Sequence, residues 1–123
     1  MCIRDRFVAI TRVLNDEESK AFFEENRHKH PKMDIKIPFL TVRETLHYKP
    51  AINAAKVTCP TLVVVAGQDS VNPPEQGRAL FDAVAATNKQ LFVAEEARHY
   101  DIYSGQHFAS VIKVQTSWFA AHL

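Results

Sequence analysis

Glycine is scarce, with three in 123 residues, at positions 67, 77 and 105. These three cannot write a G-x-G-x-x-G fingerprint between a strand and a helix, which removes the usual dinucleotide cradle. Nor do they frame a G-x-S-x-G nucleophile elbow. Cysteine is scarcer still. Cys2 and Cys59 are too few and too scattered for a disulfide framework. No apolar run approaches the ~18 residues of a membrane span. Fifteen basic side chains face fourteen acidic ones, a formal charge of +1. Such a balance provides no broad field to gather nucleic acid or anionic lipid, so neither is expected as a partner. The first residues lack the charged, apolar, then small pattern of a signal peptide. Cys59 precedes an apolar run, where a reduced thiol serves as small filler. A reducing, cytoplasmic setting is the expectation.

What remains has the make-up of a folded chain. It is 46% hydrophobic and 24% charged, close to the globular average, and long enough for one small domain. The opening residues Met1-Cys2-Ile3-Arg4-Asp5-Arg6 resemble translated sequencing adapter, a leader met on gene models from metagenome assemblies. They are set apart from fold reasoning as a scar would be. Residues 7–54 read as helical. Asn15 followed by Asp16, Glu17 and Glu18 marks a helix start, with acids against the positive end of the dipole. That helix runs to His28, carries Ala21, Phe22 and Phe23 on one side, and stops at Pro31. A second is predicted from Pro38 to Tyr48, broken by Pro50. Counted from residue 1, the chain to Pro50 holds ten of the 15 basic residues; the helical region has no core of its own, so it is expected to lie over something else.

Residues 55–123 carry stronger signals. Thr61-Leu62-Val63-Val64-Val65-Ala66 is apolar at nearly every position, as a strand covered on both faces of a parallel sheet requires. Pro73 and Pro74 lead a helix predicted to Ala86, with Leu80, Phe81 and Val84 on its buried side. Gln90 to Ala94 is a second short strand, and Glu95 to Gln106 a polar loop. Phe108, Val111, Ile112, Trp118 and Phe119 mark an amphipathic final helix. The order is strand, helix, strand, helix: an α/β architecture whose two strands require the rest of a larger sheet.

In open parallel sheets, functional groups gather in loops at the carboxyl ends of the strands. Asp69 follows the first strand and His99 the second, so adjacent parallel strands bring both to one rim. A carboxylate holding one imidazole nitrogen sets the tautomer and leaves the other free to take a proton. Cys59-Pro60, the apolar strand, Ala66, two variable residues, Asp69 and the proline-led helix together resemble the penultimate-strand motif of α/β-hydrolases. Arg98-His99-Tyr100-Asp101-Ile102-Tyr103 is similar to that family's histidine loop. The family commonly has glycine at the positions of Ala66 and Arg98.

The resemblance implies the C-terminal βαβα portion of an α/β-hydrolase sheet over residues 55–123, preceded by a lid or cap remnant over residues 7–54. It implies Asp69 and His99 as acid and base of a catalytic triad, with the nucleophile elbow upstream and the isolated piece inactive. The parent activity implied is a serine-type hydrolase acting on an ester, thioester or amide of a small molecule, with no cofactor and no metal. An Asp-nucleophile member, such as a dehalogenase or epoxide hydrolase, and a non-catalytic flavodoxin-like binding or regulatory domain are the alternatives.

Simpler roles account for the other reactive residues. Asp101, two positions from His99, is expected to bond local backbone. Ser70 follows the wrong strand for a nucleophile and is a turn residue. His28 and His30 flank Lys29, whose charge repels a cation, and mark a solvated helix end. Tyr100 and Tyr103 are the aromatic residues best placed to line a pocket.

Overall fold

In the computed structural model, which describes residues 6–123, the chain divides into two units, Met1–Tyr48 and Lys49–Leu123. The leader expected at residues 1–6 lies outside the described residues except for Arg6, whose carbonyl accepts from Phe39 N at 2.8 Å.

The first unit contains an element that the sequence pattern does not announce. Strand β1 (Phe7–Ala9) leads into a single helical turn, α1 (Ile10–Val13), and pairs antiparallel with β2 (Lys36–Pro38), with Val8 opposite Ile37. Three-residue strands are too short to show alternation. Between them run helix α2 (Glu17–Asn26) and a 3₁₀ turn at Pro31–Met33, and helix α3 (Phe39–His47) follows β2. Asp16, rather than Asn15, caps α2, its Oδ1 accepting from Ser19 N at 2.7 Å. Glu17 and Glu18 then sit in the first turn, where the dipole favours them. Among the described residues of this unit only Ser19 is buried. Its helices therefore enclose no apolar core.

The second unit opens on α4 (Pro50–Ala54). Pro50, expected to break the preceding helix, also opens this one. Its fixed φ suits a first helical position, so it ends α3 and starts α4. Strand β3 (Thr61–Ala66), helix α5 (Pro74–Ala83), strand β4 (Lys89–Ala94) and helix α6 (Gly105–His122) complete the chain. Strands β3 and β4 are parallel, registered from Thr61–Lys89 to Ala66–Ala94, and α5 is the crossover between them. The two strands form a sheet by themselves among the described residues.

Helix α5 stops three residues short of the expected Ala86. Val84 turns extended and inserts, 6% exposed, between Ala54 and Ala86. That burial outweighs a further helical turn, and Lys89 stabilises the exposed end. Its Nζ donates to the carbonyls of Phe81 at 2.8 Å, Asp82 at 3.3 Å and Val84 at 2.8 Å, and lies 4.8 Å above the Phe81 ring. A cation on unpaired C-terminal carbonyls is the favourable pairing for a helix end.

A second cluster, Ala66, Ala94 and Ala97 with Phe92 and Ile102 packed against it, lies at the carboxyl ends of the strands. Burial on both faces is reached only there: Val65 and Ala66 are buried, whereas Thr61–Val64 stay half-buried. Helix α6 buries Val111 and half-buries Trp118, but Phe108, Ile112 and Phe119 are exposed. The stripe read as one buried face is therefore split, because a two-stranded sheet offers a single narrow surface to an 18-residue helix. Among the described residues no helix is long and apolar enough to cross a membrane.

Replacing Lys89 by Met keeps the stem and removes the donor to three carbonyls. The expected loss is about 1–2 kcal/mol, measured by urea denaturation, since hydrogen bonds to charged groups contribute on that scale. An unchanged midpoint would show that solvent serves those carbonyls equally well.

Candidate active site

The site is built where β3 and β4 end. One residue past the shared register, Gly67 N donates to Ala94 O at 2.8 Å, and Gln68 N then donates to Ala97 O at 2.9 Å. The two loops are thus tied together before either functional side chain is reached. The crossing is close enough to require glycine. A Cβ on Gly67 would stand 2.4 Å from Glu95 O and 2.6 Å from Glu95 Cα, against backbone that cannot yield. The small residue expected at position 66 is present as Ala66, but position 67 is where a side chain is excluded. A second close approach lies between α5 and β3, where a Cβ on Gly77 would stand 2.5 Å from Val65 Cγ2 and force that side chain or the helix to shift.

Asp69 follows two residues later and uses both carboxylate oxygens. Oδ1 accepts from Val71 N at 2.8 Å and Asn72 N at 2.7 Å, an Asx-type turn that fixes the side chain. Oδ2 is 2.8 Å from His99 Nδ1, across a separation of 30 residues. An ionised carboxylate only accepts, which matches Nδ1–H as the donor to Oδ2. Nε2 is then the nitrogen that Asp69 does not occupy. The side chains are 9% and 17% exposed for Asp69 and His99, which screens the pair from bulk water more than a surface ion pair would be.

The histidine loop has its own internal lock. Arg98 N donates to Asp101 Oδ2 at 2.9 Å, Asp101 N to Arg98 O at 3.2 Å, and Tyr103 N to Tyr100 O at 3.1 Å. Asp101 therefore makes the local backbone bond expected of it, and Asp69 is the carboxylate that meets the imidazole of His99. The Tyr100 ring stands edge-on to the imidazole at 4.7 Å, with 82° between planes, and Tyr103 lies 6.3 Å away at 71°. Beside the pair opens a cleft of about 230 Å³ whose lining includes Asp69, Asn72, Pro73, His99, Ile102 and Tyr103. Of the two tyrosines, Tyr103 lines this cleft.

Asn72, Gly67 and Pro73 were not singled out by sequence reasoning as site residues. Two signals point to them in hindsight: the glycine placed directly after a strand, and the Asn-Pro pair directly after the acid.

Comparison with known proteins gives the chain a family. A model of the serine aminopeptidase family, S33, matches residues 8–102, which is most of the chain and includes both Asp69 and His99. The chain belongs to that family. As a member of these α/β-hydrolases it has the mixed helices and small parallel sheet described above. Two curated Escherichia coli proteins are also similar to it, each described as an uncharacterized 31.7 kDa protein in the traX-finO intergenic region. Each is 62% identical over 120 residues, which is 98% of this chain and 42% of the relative. The chain thus spans about two-fifths of the length of the curated relatives it matches.

Gly67→Ala tests the crossing that supports the pair. The loops must part or lose two hydrogen bonds, at a cost of about 2–4 kcal/mol. Nuclear magnetic resonance of ¹⁵N-labelled imidazoles should also show His99 losing its Nδ1–H preference. A Gly67→Ala variant with native stability and an unchanged His99 signal would mean that the loops are held from elsewhere.

Proposed function

We propose that this chain supplies the acid and the base of a serine-type hydrolase that cleaves an ester, thioester or amide bond of a small molecule. The observation that carries the reading is the 2.8 Å contact of His99 Nδ1 with Asp69 Oδ2, beside an open cleft at the carboxyl rim of a parallel sheet. The family's name, serine aminopeptidase, favours a serine nucleophile and an amide bond among the three. The sequence contains no G-x-S-x-G elbow. In this reading the serine lies in the part of the polypeptide that the longer relatives have beyond the matched region. Residues 7–54 act as part of a lid or cap.

The chemistry assigned to this chain is proton handling. His99 Nε2 takes the proton of the serine hydroxyl as its oxygen attacks the carbonyl carbon, and the carbonyl π electrons move to the oxygen. His99 is then an imidazolium, stabilised by the Asp69 carboxylate without transfer of the second proton. Nε2 returns its proton to the leaving group as the carbon–heteroatom bond breaks. Water repeats the cycle on the acyl-enzyme, with His99 again base and then acid. Neither metal nor organic cofactor enters these steps.

The test uses the polypeptide of the relatives' length that carries this segment, treated with a fluorophosphonate probe. Labelling should occur on a serine. His99→Ala and Asp69→Asn should each slow it by about 10³-fold or more, the scale set by triad members elsewhere. Labelling that persists at the native rate in His99→Ala would remove His99 from the mechanism. No labelling of a folded, active protein would favour an aspartate nucleophile instead.

A further inference from the structure

One hydrogen bond does not hold an imidazole still. With Nδ1 bonded to Asp69 Oδ2, the ring can still rock about that bond, and it can turn over to present its other edge. In either case Nε2 leaves the direction in which the serine hydroxyl must meet it. A proton-transfer base needs that direction kept, because misplacement of a reacting group lowers rates steeply. Something besides Asp69 must restrain the ring.

The group in position to do so is the next residue in the chain. The Tyr100 ring lies 4.7 Å from the imidazole centroid with 82° between planes, an edge-to-face arrangement inside the range such pairs prefer. Tyr100 is half-buried, and its backbone is not free to drift. The loop is closed by Arg98 N on Asp101 Oδ2 at 2.9 Å and by Tyr103 N on Tyr100 O at 3.1 Å. Behind the pair stands Tyr103, 6.3 Å from the imidazole and 6.4 Å from Tyr100, so the three rings form one cluster. Tyr103 is 60% exposed and can restrain little by itself. Tyr100 is the ring with both contact and support.

We propose that Tyr100 is a positioning residue for His99: its ring, edge-on to the imidazole, keeps His99 in the Nδ1–H, Asp69-bonded orientation and so keeps Nε2 aimed into the cleft. The proposal rests on the reading of Asp69 and His99 as acid and base. It assigns the work to the aromatic ring, because the contact with the imidazole is between ring planes. Phe should therefore replace Tyr100, and an aliphatic side chain of similar bulk should not.

The experiment uses the polypeptide of the relatives' length that carries this segment, with ¹⁵N-labelled histidine imidazoles, whose nitrogen shifts distinguish the two neutral tautomers. In the wild type His99 should be dominated by Nδ1–H. In Tyr100→Leu the ratio of the minor Nε2–H form to the major form should rise about three- to tenfold, the range that an edge-to-face pair contributes. Tyr100→Phe should stay within about twofold of wild type. His122 serves as an internal reference, since its Nδ1 is held 2.8 Å from Trp118 O on α6. Its ratio should not move in either variant.

An unchanged His99 ratio in Tyr100→Leu overturns the proposal, and so does a Phe variant that behaves like Leu. A shift at His122 equal to that at His99 overturns it as well, because Tyr100 would then support the whole unit. A wild-type His99 without the Nδ1–H preference would instead sink the acid–base reading itself. The two failures are thereby told apart.

Discussion

The site hangs on the crossing at Gly67. Parallel pairing of β3 and β4 ends at Ala66 and Ala94, and the backbone of Gly67 then passes so close to Glu95 that no Cβ fits between them. Two further hydrogen bonds, from Gly67 N and Gln68 N, carry the pairing into the loops. Asp69 and His99 consequently emerge a few ångströms apart from segments 30 residues distant in sequence. Without the crossing, each would be an ordinary loop residue.

From there the constraints pass outward in order. The Asx-type turn at Asp69 commits Oδ1 to backbone, which leaves Oδ2 as the single oxygen for His99. The histidine loop is closed on itself through Asp101, so its geometry does not depend on Asp69 alone. Asp69 and the loop of His99 are each held by local backbone bonds before the two side chains meet. This division lowers the conformational entropy lost in forming the pair, because neither side chain must be ordered by the other. It also gives the two loop carboxylates different tasks, Asp69 toward the imidazole and Asp101 toward its own loop.

The surrounding scaffold is thin by comparison. The buried clusters consist of alanines and valines, and among the described residues no large side chain is fully buried. Phe108, Ile112 and Phe119 on α6 remain exposed, and β3 is only half-buried over most of its length. The chain covers 42% of its curated relatives, and these surfaces are of the kind that further elements of an α/β sheet cover. The small amount of apolar burial here contrasts with the precision of the Asp69–His99 pair. Position is set locally, by backbone bonds and glycine, more than by the depth of the core.

Much of this was legible in residue order. The apolar run Thr61–Ala66, the two prolines ahead of α5 and the run ending at Ala94 determined a parallel β3–α5–β4 unit, because only such a unit satisfies those patterns together. Given that unit, Asp69 and His99 had to share a rim, and residues resembling known motifs supplied their names. Other features could not be read in advance. The β1–β2 pair joins segments too short to show a period. Val84 leaves its helix because a particular gap between Ala54 and Ala86 accepts it. The apolar stripe of α6 splits because what it packs against is narrower than the stripe. Which carboxylate oxygen meets which nitrogen, and which ring braces the imidazole, depend on distances between residues far apart in the chain or on how a loop closes. Pattern alone determines which residues can meet; the folded backbone decides how closely and in what orientation they do.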